Sequence, residues 1–141
     1  MKKLLIASDH AGFELKKNLI QTLSEKYQFI DLGTDSANSV DYPDYGFALA
    51  NAIENKKAEM GILICGSGVG ISIAANRNKS VRAALVYNNE IAKLARQHNN
   101  ANVICLGARF LTTQDAIEFI ETFVNTEFEG GRHQNRVAKL S

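Results

Sequence analysis

The chain has no tryptophan, one proline and two cysteines among its 141 residues. Proline is usually about 5% of a sequence, so its scarcity, with no low-complexity run, excludes a linker-rich or disordered protein. Two cysteines are too few for a disulfide scaffold, and neither belongs to a Cys-x-x-Cys pair that would read as a zinc site. An excess of one charge is also missing: 16 Lys and Arg against 15 Asp and Glu leave +1. A dedicated nucleic-acid or membrane-surface binder carries a basic excess, so neither partner is expected. Long apolar runs are absent too. The run at 4–7 stops at Ser8-Asp9-His10, too early for a signal peptide, and the one at 60–65 is far below a membrane span. A soluble, cytoplasmic protein with reduced thiols is expected. What is present is 45% apolar residues, enough for one core, and a length that fits one domain over 1–141.

Short apolar runs alternate with amphipathic stretches. Strands are expected at 4–7, 29–32, 61–65, 83–86 and 103–106. Leu15, Leu19 and Leu23 form the stripe of a first helix, and Tyr45, Leu49, Ala52 and Ile53 that of a second. A third helix is expected at about 71–77, after a glycine-rich turn. A fourth carries Ile91, Leu94, Ala95 and His98 inward. A fifth, capped by Thr112 or Thr113, buries Ala116, Phe119, Ile120 and Phe123. The tail, 129–141, is polar. Repeated β-α units with no hairpin signal predict an α/β fold: a single Rossmann-like, three-layer α/β/α domain with a parallel sheet. The five strands take the order 2-1-3-4-5, and ligands bind at the carboxyl ends of strands 1 and 3.

Those two strand ends carry the chain's oddest local sequences. Ser8-Asp9-His10 can share protons or bind a hydroxyl and an anion; alternatively, Asp9 caps a helix and His10 is solvated. Cys65-Gly66-Ser67-Gly68-Val69-Gly70 can turn its backbone N–H groups inward as a cradle for an oxyanion or a phosphate. Thiols beside such donors at a helix start are activated as thiolates. Cys65, at a strand end beside this cradle, reads as functional, whereas Cys105, inside a strand, reads as a packed core residue. The loop is misplaced for a dinucleotide fingerprint, which follows the first strand as G-x-G-x-x-G. A cysteine-phosphatase loop would place Arg where Ile71 stands, and a phosphoacceptor domain would place Asp where Cys65 stands. His98 reads as a core or cap residue on position alone. Arg132 and Arg136, four apart, grip one dianion if the tail is helical, or else form a solvated basic end. Arg109, just past the fifth strand, is a third anion ligand or a surface charge.

Five segments together resemble one family: Ser-Asp-His-Ala-Gly at 8–12, Asp-Tyr-Pro at 41–43, Ile-Cys-Gly-Ser-Gly-Val-Gly-Ile-Ser-Ile-Ala-Ala-Asn at 64–76, Arg-Gln-His-Asn-Asn at 96–100, and Glu-Gly-Gly-Arg-His-Gln-Asn-Arg-Val at 129–137. They look like ribose-5-phosphate isomerase B, over essentially the whole chain. The resemblance implies a metal-independent aldose–ketose isomerase that needs no cofactor and interconverts ribose 5-phosphate and ribulose 5-phosphate through a cis-enediolate, in the non-oxidative pentose phosphate pathway. It implies Cys65 as the carbon base, with Gly66, Ser67, Gly68, Val69 and Gly70 holding the enediolate oxygen. His98 helps to open the furanose ring, and Asp9 handles hydroxyl protons. His10, Arg132 and Arg136 grip the phosphate, with Arg109 added, and Tyr42 and Asn99 line the substrate. The family forms a homodimer, or a dimer of dimers, with sites at the subunit interface, which implies a tail helix within 129–141 packed there. Relatives that replace the Cys use a Glu four residues later, where this chain has Val69. Galactose-6-phosphate isomerase subunits lack the Cys-Gly-Ser-Gly-Val-Gly pattern. Two alternatives stay open: a six-carbon substrate such as allose 6-phosphate, and a non-catalytic sugar-phosphate sensor.

Overall fold

The computed structural model describes residues 1–141. Five strands, β1 (Lys2–Ser8), β2 (Tyr27–Asp31), β3 (Met60–Cys65), β4 (Ala83–Leu85) and β5 (Val103–Gly107), form one sheet. Every pairing in it is parallel. The helices are α1 (Phe13–Leu23), α2 (Tyr42–Glu54), α3 (Val69–Ala75), α4 (Asn89–Gln97), α5 (Thr113–Asn125) and α6 (Arg132–Ala138). The architecture is the expected three-layer α/β/α sandwich. No helix is long and apolar enough to cross a membrane.

The strand order is β2-β1-β3-β5-β4, which corrects the expected 2-1-3-4-5 at one end. The reason lies in the two strands. All of Val-Ile-Cys-Leu-Gly in β5 is buried, as an interior strand covered on both faces must be. β4 is three residues, each half-buried, and suits an edge. One of its outward-facing residues is already satisfied: the Asn76 side chain accepts the Ala83 N–H at 2.8 Å and donates to the Ala83 carbonyl at 3.0 Å.

This exchange decides which face each helix covers. Parallel crossovers are right-handed in about 98% of cases, so reversing the direction of travel between strands reverses the face. The step from β4 back to β5 therefore puts α4 beside α1 and α5. One core gathers Leu15, Leu19 and Leu23 of α1, Ala92 and Ala95 of α4, and Ala116, Phe119, Ile120 and Phe123 of α5. The other gathers Leu49, Ala50, Ala52 and Ile53 of α2 with Ile71 and Ala75 of α3. The stripes read for α1, α2 and α5 are found, with Tyr45 only half-buried.

The stripe read for α4 is found only in part, at Ala95 and half-buried Leu94. Its buried residues are Ala92, Ala95 and Arg96, while Ile91 is 41% exposed. The helix is rotated so that Arg96 faces inward, its guanidinium over the Phe123 ring at 5.8 Å and its Nε donating to the Thr126 carbonyl at 3.0 Å. An arginine can occupy such a place because its stem is apolar and its planar head has donors for nearby carbonyls. Lys16, outside the apolar stripe of α1, is also buried, with Nζ 2.7 Å from both oxygens of Asp31. Two starts move by two residues, and one of the two caps offered for α5 is found. β2 starts at Tyr27, and α3 starts at Val69, directly after Gly68, whose φ of 80° closes the turn. At α5, Thr112 is the cap, in a reciprocal box with Asp115.

Candidate active site

β1 and β3 are neighbours in register, Ser8 beside Ile64, so the residues that follow each strand emerge together at the carboxyl edge. The Asp9 N–H donates to the Ile64 carbonyl at 3.1 Å and ties the two ends. Asp9 is buried, and its Oδ1 accepts the N–H groups of Ala11 at 3.0 Å and Gly12 at 3.2 Å. It is thus a cap, as one of its two readings had it, and only Oδ1 takes part in the capping bonds. His10 Nδ1 accepts the Val40 N–H at 3.1 Å, which places the proton of the neutral ring on Nε2, as a donor for an anion.

Cys65 is the last residue of β3 and is buried, and its Sγ accepts the Gly68 N–H at 3.1 Å. The loop around it is fixed by side chains. Ser67 Oγ accepts the Val69 N–H at 3.2 Å, and Ser72 Oγ donates to the Val69 carbonyl at 2.7 Å. The Tyr87 hydroxyl donates to the Ser67 carbonyl. Tyr87 was not singled out in the sequence. Its signal there was weak: one aromatic residue just past β4, with no partner visible until the strands are placed. Tyr42, 42% exposed, lies against Gly70, where an added Cβ would stand 2.6 Å from the ring. The Arg109 guanidinium lies over Gly66, with Nη1 2.8 Å from such a Cβ. A side chain at Gly66 would therefore displace Arg109, and one at Gly70 would displace Tyr42. Cys105 is fully buried in β5, and burial, reinforced by the nearby Cys65, pushes its thiol pKa far up. That fits its reading as a core residue.

A second group lies at the opposite edge. α4 runs antiparallel to the strands, and its nine residues span about 13 Å. His98, its C-cap, therefore sits at the amino edge of the sheet, 42% exposed at the side chain, and not on an inner helix face as expected. The tail is helical, and α6 brings Arg132 and Arg136 one turn apart. The Glu129 N–H donates to the Gln97 carbonyl at 3.1 Å, tying the tail to the end of α4. The His98 and His133 rings stack, with centroids 4.3 Å apart. Glu129 Oε1 lies 3.7 Å from His98 Nε2 and 3.8 Å from His133 Nε2. These three side chains are the ones whose donor atoms could meet on a metal ion. His98, Asn99, His133, Arg136, Val137 and Leu140 line a cavity of about 320 Å³.

The structure thus gathers Asp9, His10, Tyr42, Cys65, the 66–70 loop and Arg109 at one edge, and His98, Asn99, Arg132 and Arg136 at the other. It does not join the two sets within one chain. Glu129 and His133 were not picked out individually, although Glu-Gly-Gly-Arg-His sets them four apart.

Residues 4–140 match the family described as ribose/galactose isomerase. Ribose-5-phosphate isomerase B of Escherichia coli is 41% identical over 142 aligned positions, covering 100% of this chain and 95% of that protein. The structure of a ribose 5-phosphate isomerase from Thermotoga maritima superposes with a TM-score of 0.96 at 46% identity, over 99% of this chain and 97% of the other. Ribose-5-phosphate isomerase B of Mycoplasma genitalium, solved with bound ribulose 5-phosphate, superposes with a TM-score of 0.91 at 45% identity, over 98% and 93%.

Proposed function

The chain belongs to the ribose/galactose isomerase family, and we infer from this premise that it interconverts ribose 5-phosphate and ribulose 5-phosphate. The observation that carries the reading is local. Cys65 Sγ accepts the Gly68 N–H inside a glycine loop, while the adjacent strand presents Asp9 with one carboxylate oxygen uncommitted. Removing the proton from carbon 2 of an aldose needs a base and somewhere to hold the oxyanion that results. Cys65 as thiolate takes that proton and returns it to carbon 1, passing through a cis-enediolate. Asp9 Oδ2 moves the hydroxyl proton, and the N–H groups of the 66–70 loop hold the enediolate oxygen. A positioned base contributes about 10²–10⁴-fold, and loss of one oxyanion donor costs about 10²–10³-fold. His98 opens the furanose ring. His10 Nε2–H, Arg132 and Arg136 bind the phosphate, Arg109 adds charge from Gly66, and Tyr42 and Asn99 line the sugar.

These roles need both edge groups around one substrate, which a homodimer supplies if the partner brings its His98, Asn99 and tail helix to the Cys65 edge. Two features support that reading. Tyr42, Phe47, Val69 and Ile73 are exposed on α2 and α3, beside the glycine loop. The tail, 129–141, carries an arginine pair that nothing in its own chain neutralises. We place the enzyme in the cytoplasm, where both free thiols stay reduced, and its reaction in the non-oxidative pentose phosphate pathway. The test is formation of ribulose 5-phosphate from ribose 5-phosphate by the purified chain, with EDTA present. Turnover that disappears in Cys65→Ala supports the reading, and absence of turnover in the unaltered chain overturns it.

A further inference from the structure

We propose that the Tyr87 hydroxyl is a positioning group for Cys65, acting through one peptide unit, Ser67–Gly68. The inference rests on Cys65 as the carbon base. The Tyr87 hydroxyl donates to the Ser67 carbonyl, and the Gly68 N–H donates to Cys65 Sγ at 3.1 Å. That carbonyl and that N–H belong to the same peptide, which is trans. A trans peptide is planar, so its C=O and N–H point in opposite directions. Tyr87 therefore grips one end of a rigid plate whose other end faces the sulfur. A donor on the carbonyl also polarises the plate and strengthens its N–H as a donor.

The plate needs such a grip. Gly68 has a φ of 80°, and glycine adopts positive and negative φ about equally, so this peptide can turn over. Turned over, it would set the Ser67 carbonyl against Sγ, where its negative end repels the thiolate that takes the carbon proton. The preceding peptides are held differently. The Cys65 carbonyl accepts the Ala108 N–H at 2.9 Å and the Gly66 carbonyl accepts the Arg109 N–H at 3.1 Å, both from the backbone that leaves β5. No backbone N–H donates to the Ser67 carbonyl. β4, the edge strand beyond β5, stops at Leu85, and Tyr87 supplies the donor from its side chain. Room for this bond comes from Gly107 in β5, where an added Cβ would stand 2.6 Å from the Ser67 carbonyl oxygen and 2.8 Å from the Tyr87 hydroxyl. The Tyr87 ring packs in turn against Phe110, with centroids 6.1 Å apart and planes tilted by 54°. Tyr87 is not among the residues assigned above to phosphate or sugar, so its loss falls on the rate constant rather than on binding.

The test is Tyr87→Phe in the full chain, which removes the hydroxyl and keeps the ring. Tyr87→Leu removes the same donor and serves if the Phe variant fails to fold. Ser-Gly occurs once in the sequence, at 67–68. Carbonyl-¹³C serine with ¹⁵N glycine therefore isolates this peptide as a single resonance pair. Loss of the hydroxyl should move the Ser67 carbonyl signal upfield and displace the Gly68 N–H signal. Gly33, just past β2, and Gly61, at the start of β3, should keep theirs. With ribose 5-phosphate, kcat should fall about 10- to 100-fold, with KM within about threefold of the parental value. An unmoved Ser67–Gly68 pair, or kcat within about twofold of the parent, overturns the proposal. So does a rise in KM at unchanged kcat, or a displacement spread over all the glycines, which marks a general loosening. Absence of turnover in the unaltered chain overturns the function itself, a failure distinct from an active parent whose variant is unimpaired.

Discussion

Two cysteines of one sequence have opposite environments, and chemistry follows from that difference alone. Cys65 ends its strand beside backbone donors, whereas Cys105 lies one strand away with apolar cover on every side. Serine in place of Cys65 keeps the size and the hydrogen-bond acceptor but is a far weaker acid. Cys65→Ser should therefore lose at least about 100-fold in kcat/KM, as removal of a general base does. A small alkylating reagent should inactivate by modifying Cys65, ribulose 5-phosphate should slow it, and mass spectrometry should find Cys105 unmodified. If the Ser variant keeps activity within a few-fold of the parent, Asp9 becomes the base. Cys65 and Asp9 were legible in the sequence because strand ends beside glycine loops are visible in a linear pattern. Tyr87, Glu129 and His133 were harder to see. Each acquires meaning from a residue distant in sequence or from a stack that only folding creates.

At the scale of elements, Cys105 also makes β5 sensitive to alkali. A thiol in the unfolded chain ionises near 9.0, while burial in β5 keeps the folded thiol protonated well beyond that. Below pH 9 both states hold the proton, and this group adds no pH dependence. Above it the unfolded chain releases the proton and the folded one does not, so stability falls by about 1.4 kcal/mol per pH unit from this group. Urea denaturation between pH 8.5 and 10 should show that slope, and Cys105→Ala should flatten it even though its cavity lowers stability at neutral pH. An unchanged slope would mean that the folded state ionises this thiol as readily as the unfolded one. β5 also shows what periodicity cannot reveal. Apolar runs identified each strand, and Leu15-Leu19-Leu23 identified the face of α1. Whether β4 or β5 lies inside, though, is a competition between two strands for one slot, and no single segment records it. The same competition rotated α4, because its face depends on the direction of the step from β4 to β5. Arg96 and Lys16 escape an apolar pattern for a second reason: both are charged residues whose apolar stems and partners allow burial.

For the whole molecule, the separation of Cys65 from Arg136 predicts complementation. A chain with Cys65→Ala and a chain with Arg136→Ala should each be nearly inactive. Mixed after reversible unfolding, they should recover about a quarter of parental activity, since half of random dimers are mixed and each mixed dimer has one intact site. No recovery, with mixed dimers verified by native mass spectrometry, would mean that one chain builds a complete site.

Asn76 bears on how these molecules behave when crowded. With a net charge of +1, electrostatic repulsion between copies is weak, so it does little to keep them dispersed. An open sheet edge is a template onto which another chain can add a strand. The Asn76 amide occupies the outward N–H and carbonyl of Ala83 and acts as a chain terminator, built from the last turn of one helix, for growth of the sheet. Asn76→Ala removes the terminator without touching Cys65 or Asp9. In concentrated solution it should cluster into particles seen by light scattering, and an infrared signature of intermolecular strands should grow with them, while dilute samples keep the parental circular dichroism.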